Sequence, residues 1–150
     1  MIYLMMIFMV VFAFVPIIFF LIYVKHITNK RKAIQDGILR QNENLINGKW
    51  YRVRYADSKR FKSIMKIFPW NATGILYFKE VSLCFIGENN SGHKIELVGR
   101  KMMKNGAITW FLINDKNYGH YFTSETGLII INSQKTTQKI FNDIVEKYDN

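Results

Sequence analysis

The chain of 150 residues has one cysteine, Cys84, and two prolines, Pro16 and Pro69. A single cysteine excludes an intrachain disulfide and any Cys-x-x-Cys redox or metal motif, and it fits a reducing compartment. A glycine-rich phosphate loop and a Gly-x-Ser-x-Gly elbow are also missing. The three histidines, His26, His93 and His120, lie far apart, and each reads as a surface or ordinary structural residue. Cys84 sits between Leu83 and Phe85 and reads as a buried, inert thiol. Nothing here assembles a catalytic, metal or cofactor constellation, so the chain reads as non-enzymatic and without a cofactor.

The longest absence is of charge. Met1 to Val24 contain no Asp, Glu, Lys or Arg. A helix of that length rises about 36 Å, against about 30 Å for a bilayer core. Tyr3 and Tyr23 stand near the two ends, where aromatic rings favour headgroup level. A cleaved signal peptide would need a basic start, a shorter apolar run and a small-residue cleavage site, none of which is present. The expectation is one transmembrane helix over 1–24. The basic residues that follow it, Lys25, Lys30, Arg31 and Lys32, put the N-terminus outside and the rest in the cytoplasm. The chain is then an integral, single-pass protein of the cell membrane.

Acidic residues are few, 11 against 21 Lys and Arg, and the net charge is +10. The excess is local. From Lys25 to Lys66 there are twelve basic and three acidic residues; the rest of the chain is nearly balanced. Basic charge gathered beside an apolar segment points to an anionic lipid surface rather than to nucleic acid.

Residues 25–47 carry a thin apolar stripe, Ile27, Ile34, Ile38 and Leu45, interrupted by Gly37. They read as a partly helical juxtamembrane linker. Residues 48–150 read as one globular domain. Lys49 to Tyr55 alternate, with Tyr51, Val53 and Tyr55 on one face and Trp50, Arg52 and Arg54 on the other, as a strand does. Over 58–68 a Ser58 cap and the spacing of Phe61, Ile64, Met65 and Phe68 suit a basic amphipathic helix, with a strand as the alternative. Further short strands are expected at 74–79, 82–87, 93–98, 107–113, 118–123 and 128–132, with a basic loop at 99–106. The terminal helix has Thr137, Ile140, Phe141, Ile144, Val145 and Tyr148 on one side. Phe141 and Ile144 are expected to be buried against the sheets. The fold class is mainly β with a C-terminal α-helix, an antiparallel barrel or sandwich capped by that helix and preceded by the transmembrane helix.

The runs Gly74-Ile75-Leu76-Tyr77-Phe78 and Leu83-Cys84-Phe85-Ile86-Gly87, with that element order over roughly 49–148, resemble the pleckstrin-homology-like superfold, in particular bacterial PH-like and GRAM-like domains. The tryptophan of the eukaryotic terminal helix is absent, and Phe141 stands in a position to fill its role. A small closed barrel of the lipocalin kind is the alternative fold. The resemblance implies a binding module. Its complete phosphoinositide motif is missing, but Arg52, Arg54, Lys59, Arg60 and Lys62 occupy the corresponding region. With Lys66 they make a candidate lipid-binding face for anionic phospholipid. A protein partner is the second expectation, with the chain as an accessory subunit of a membrane complex that recognises no headgroup.

Overall fold

The computed structural model describes residues 2–44, 46, 48–62, 70–80, 82–89, 92–99, 103–105, 110–115, 118–125 and 130–149. Two compact units divide the chain, Met1–Ala33 and Ile34–Asn150.

Helix α1 (Ile2–Gln41) contains Pro16 and ends with Arg40 in its last turn. In the first unit its large apolar side chains from Phe12 to Tyr23 are exposed. The expectation of a transmembrane helix is overturned: among the described residues, no helix is long and apolar enough to cross a membrane. The helix runs without a break past Val24 into the basic residues that begin at Lys25. The single-pass description falls with the transmembrane expectation.

In the second unit seven strands form one antiparallel sheet. They are β1 (Trp50–Asp57), β2 (Ala72–Lys79), β3 (Ser82–Asn89), β4 (Lys94–Gly99), β5 (Met103–Asn105), β6 (Phe111–Asp115) and β7 (Tyr118–Ser124). Their order is β4-β3-β2-β1-β7-β6-β5. A short helix, α2 (Ser58–Phe61), follows β1, and α3 (Ile130–Asp149) ends the chain. Two expectations change. Residues 130–132 begin α3 instead of ending a strand, and β5 lies inside the stretch expected to be a loop. The expected helix at 58–68 is α2 at its start; residues 63–69 lie outside the described ones.

The sheet curls. Phe85 on β3 meets Phe122 on β7 at 5.3 Å between ring centroids, although β2 and β1 lie between them in the sheet. A flat sheet would hold those strands about 14 Å apart. Inside the curl, Val53, Tyr55, Leu76, Phe78, Leu83, Phe85, Phe111 and Phe122 form one apolar cluster. Helix α3 closes it with Ile140 and Ile144, and Phe141 packs on its margin. Of the two residues expected to be buried there, Ile144 is fully so and Phe141 only partly.

Alternation puts the odd residues of β2 and the even ones of β3 on the opposite face. There Ile75, Tyr77, Cys84 and Ile86 form a second cluster with Ile38, flanked by Ile34, Leu39 and Ile46. The end of α1 and the turn after it are therefore a layer on the outer face of the sheet, not a linker. Asn42 donates through its Nδ2 to the Ile38 carbonyl at 2.8 Å, and Ile46 N–H donates to the Asn42 carbonyl at 3.0 Å, which closes the helix end. Gly48, with φ of 113°, then turns the chain into β1 in a conformation that favours glycine.

Candidate functional site

Five of the six basic residues expected to make the lipid-binding face are described, two on β1 and three on α2 and the residue after it. Arg52 and Arg54 lie on the outer face of β1, opposite Val53 and Tyr55. Arg52 Nη2 pairs with Asp36 Oδ1 at 2.7 Å, and its guanidinium lies over the Trp50 ring. Arg54 donates to the Ser124 carbonyl at 3.0 Å and stacks 4.8 Å from the Trp70 ring, with Glu125 at 4.0 Å. Its side chain is only 13% exposed. Both arginines are thus engaged inside the unit. Lys66 lies outside the described residues.

Lys59, Arg60 and Lys62 belong to α2 and the residue after it, and this turn is held from several sides. Asp57 caps it, accepting from the Arg60 N–H, while Asn71 Nδ2 donates to Asp57 Oδ2 at 2.7 Å. Asp57 N–H in turn donates to Asn71 Oδ1 at 3.1 Å. Ser58 Oγ donates to the Gly119 carbonyl at 2.9 Å. A Cβ at Gly119 would stand 2.9 Å from that Ser58 oxygen, so glycine permits the close approach. Phe61 stacks on Tyr121 with centroids 3.9 Å apart and meets the edge of Trp110. A four-residue helix has little stability of its own; tertiary contacts hold this one. The result is a corner on which Lys59 and Lys62 are exposed, with Arg60 half-buried.

A second polar group is buried under the end of α1. Gln35 is fully buried, and its Nε2 donates to Thr73 Oγ1 at 2.7 Å, with the Gly74 carbonyl and Glu125 Oε2 each at 3.4 Å. Thr73 donates on to Glu125 Oε2 at 3.1 Å. This chain of bonds ties α1, β2 and the end of β7 together. Sequence reasoning missed it, because Gln35 and Glu125 are ninety residues apart and polar residues carry no periodic signal of burial.

Cys84 is buried in the outer cluster, and burial, the largest cause, pushes its thiol up, with Lys79 and Tyr77 opposing. A protonated thiol is a poor nucleophile. His120 Nδ1 is 3.1 Å from the Tyr55 hydroxyl. Burial first, then the Asp57 charge, pushes the Tyr55 phenol up to about 12. His93 is exposed beside β4. Among the described residues, no group of three or more His, Cys, Asp or Glu is placed to hold a metal ion.

No family model, no curated protein and no solved structure matches the chain.

Proposed function

We propose that the unit Ile34–Asn150 is a non-enzymatic binding module of the PH-like kind, and that its α2 corner contacts an anionic phospholipid surface. A seven-stranded antiparallel sheet, two meanders joined through the β1–β7 pair, that curls around one core and is closed by a C-terminal helix supports the PH-like reading. The observation that carries the function is the corner itself. Lys59 and Lys62 are exposed on a turn fixed by Asp57, Ser58 and Phe61, while Arg52 and Arg54 are spent on internal partners.

A lysine near an anionic surface contributes about 1 kcal/mol, screened within about 8 Å at physiological salt. The test compares the full chain on vesicles with and without anionic lipid, so that apolar adsorption common to both cancels. The expected result is an anionic preference that falls as salt rises. Lys59→Glu with Lys62→Glu should lower it by at least about tenfold, taking about 1 kcal/mol for each lysine. Equal binding to both vesicle types at low salt removes the reading.

A second reading has its own observation. Residues 12–23 of α1 expose ten large apolar side chains, and apolar surface of that extent marks an interaction site. On this reading the chain is an accessory subunit of a larger complex and α1 is the segment that joins it. A stoichiometric protein partner that stays with the full chain in mild detergent, and is lost when residues 12–23 are made polar, supports it.

A further inference from the structure

The hydrogen bond from Ser58 Oγ to the Gly119 carbonyl has a consequence for the neighbours of both residues. Lys59 follows Ser58, and Tyr118 precedes Gly119. The bond therefore brings to one corner two residues that are 59 positions apart in the chain. Tyr118 is 74% exposed, and among the described residues of the unit Ile34–Asn150 the only other large apolar side chain in that class is Trp50, at 38%. Trp50 carries a guanidinium over its ring. Tyr118 instead starts the strand that pairs with β6 and stands at its tip, opposite Asp115.

We infer that Tyr118 is part of the lipid contact of the α2 corner: it enters the headgroup layer while Lys59 and Lys62 meet the phosphates. The inference rests on the binding-module reading and adds to it a residue of different chemistry. A tyrosine ring has an apolar body and a polar tip, and such rings settle at the boundary between hydrocarbon and water. Two lysines alone give weak attraction that salt screens. An aromatic ring beside them adds a term that salt does not screen, and it fixes which part of the molecule faces the surface. An acidic protein would use the lysines equally, but it offers no apolar layer for an isolated ring to enter; the lipid surface fits all three side chains. The corner is also preorganised. The Asp57 cap, the Ser58 bond and the Phe61–Tyr121 stack hold the backbone on both sides, so docking has little loop ordering to offset.

The test reads the corner directly, whatever else attaches the chain to a vesicle. Cys84 is buried, so Tyr118→Cys offers one accessible thiol for an environment-sensitive fluorophore, and the unsubstituted chain serves as the labelling blank. Lys79→Cys is the control. Lys79 is exposed at the end of β2 that lies beside the start of β1, whereas α2 follows the end of β1. The expected result is a blue shift at 118 with anionic vesicles, none at 79, loss of the shift at high salt, and loss again with Lys59→Glu and Lys62→Glu. A silent label at 118, with charge reversal still abolishing the anionic preference of the full chain, overturns the role of Tyr118 and leaves the module reading in place. A shift that survives charge reversal shows a ring acting apart from the lysines, and also overturns it. A response to poly-glutamate with none to vesicles replaces the lipid by an acidic protein. No anionic preference and no shift remove both readings together.

Discussion

Gly74 and Gly87 face each other across β2 and β3, and neither has room for a side chain. A Cβ at Gly74 would collide with the Ile86 carbonyl and lie 2.5 Å from Gly87 Cα; one at Gly87 would run into the Phe85 ring. The ring lies where the missing side chains would be, and from there it reaches both Tyr55 and Phe122. Overpacking a filled core costs about 1–3 kcal/mol. Gly74→Ala, which meets the Ile86 carbonyl and the Gly87 Cα first, should lower the urea midpoint more than Gly87→Ala, which meets the Phe85 ring first and the Thr73 carbonyl only at 2.9 Å. Asp143 is a residue of another kind. It ties α3 to the start of β1, with its Oδ2 receiving Lys49 Nζ and the Tyr51 hydroxyl, each at 2.9 Å. The Lys49 bond foremost, with the Tyr51 bond behind it and burial opposing, holds the carboxyl below its usual range. A carboxyl depressed on folding stabilises the fold above its unfolded value, near 3.9. That contribution is lost as pH falls through the lower folded value. Asp143→Asn should therefore flatten the acid limb of the stability curve, measured by urea unfolding between pH 5 and pH 2, both pH values being approximate bounds for the window.

At the scale of elements, much of the sheet was legible and one layer was not. The alternation of Tyr51, Val53 and Tyr55 showed β1 and its inner face, and the terminal helix announced itself through Ile140 and Ile144. The outer layer was misread, although two signals for it were present. Ile34 and Ile38 were visible as a stripe, but a stripe does not say what it packs on, and an apolar run just before it suggested a linker. The unbroken runs Ile75–Phe78 and Leu83–Ile86 were the stronger signal: a strand apolar on both faces is covered on both faces. The partners of Arg52 and Arg54 were hidden for a related reason. Charge counted along the chain does not show that Asp36 and Glu125 come back to meet Arg52 and Arg54. The layer makes a prediction of its own. Ile38→Ala should cost about 2–5 kcal/mol, as a buried isoleucine does. It should also speed the reaction of Cys84 with a thiol reagent under native conditions, because Cys84 lies in the same cluster. Unchanged labelling would mean that the end of α1 does not shield the outer face.

At the scale of the whole molecule, the boundary of the independently compact part lies between Ala33 and Ile34, inside a continuous helix. A cut at the end of the helix or at the following turn looks natural from the sequence, since Asn47-Gly48 ends one pattern and Lys49 begins another. Physically it is the wrong place. A chain starting at residue 48 would leave Ile75, Tyr77, Cys84 and Ile86 facing water and would remove Gln35 from the bonds that join Thr73 to Glu125. Several apolar side chains uncovered at about 1.5–3 kcal/mol each approach the whole stability of a small domain, about 5–15 kcal/mol. A chain starting at residue 34 retains both clusters. The two fragments, 34–150 and 48–150, are compared by urea unfolding followed by tryptophan emission and by far-ultraviolet circular dichroism. The longer one should unfold in a single transition with coincident probes. The shorter should be unfolded or aggregated at the same concentration, or should melt at a much lower urea midpoint. Equal midpoints would show that the residues between 34 and 47 rest on the sheet without stabilising it, and the unit would then begin at β1.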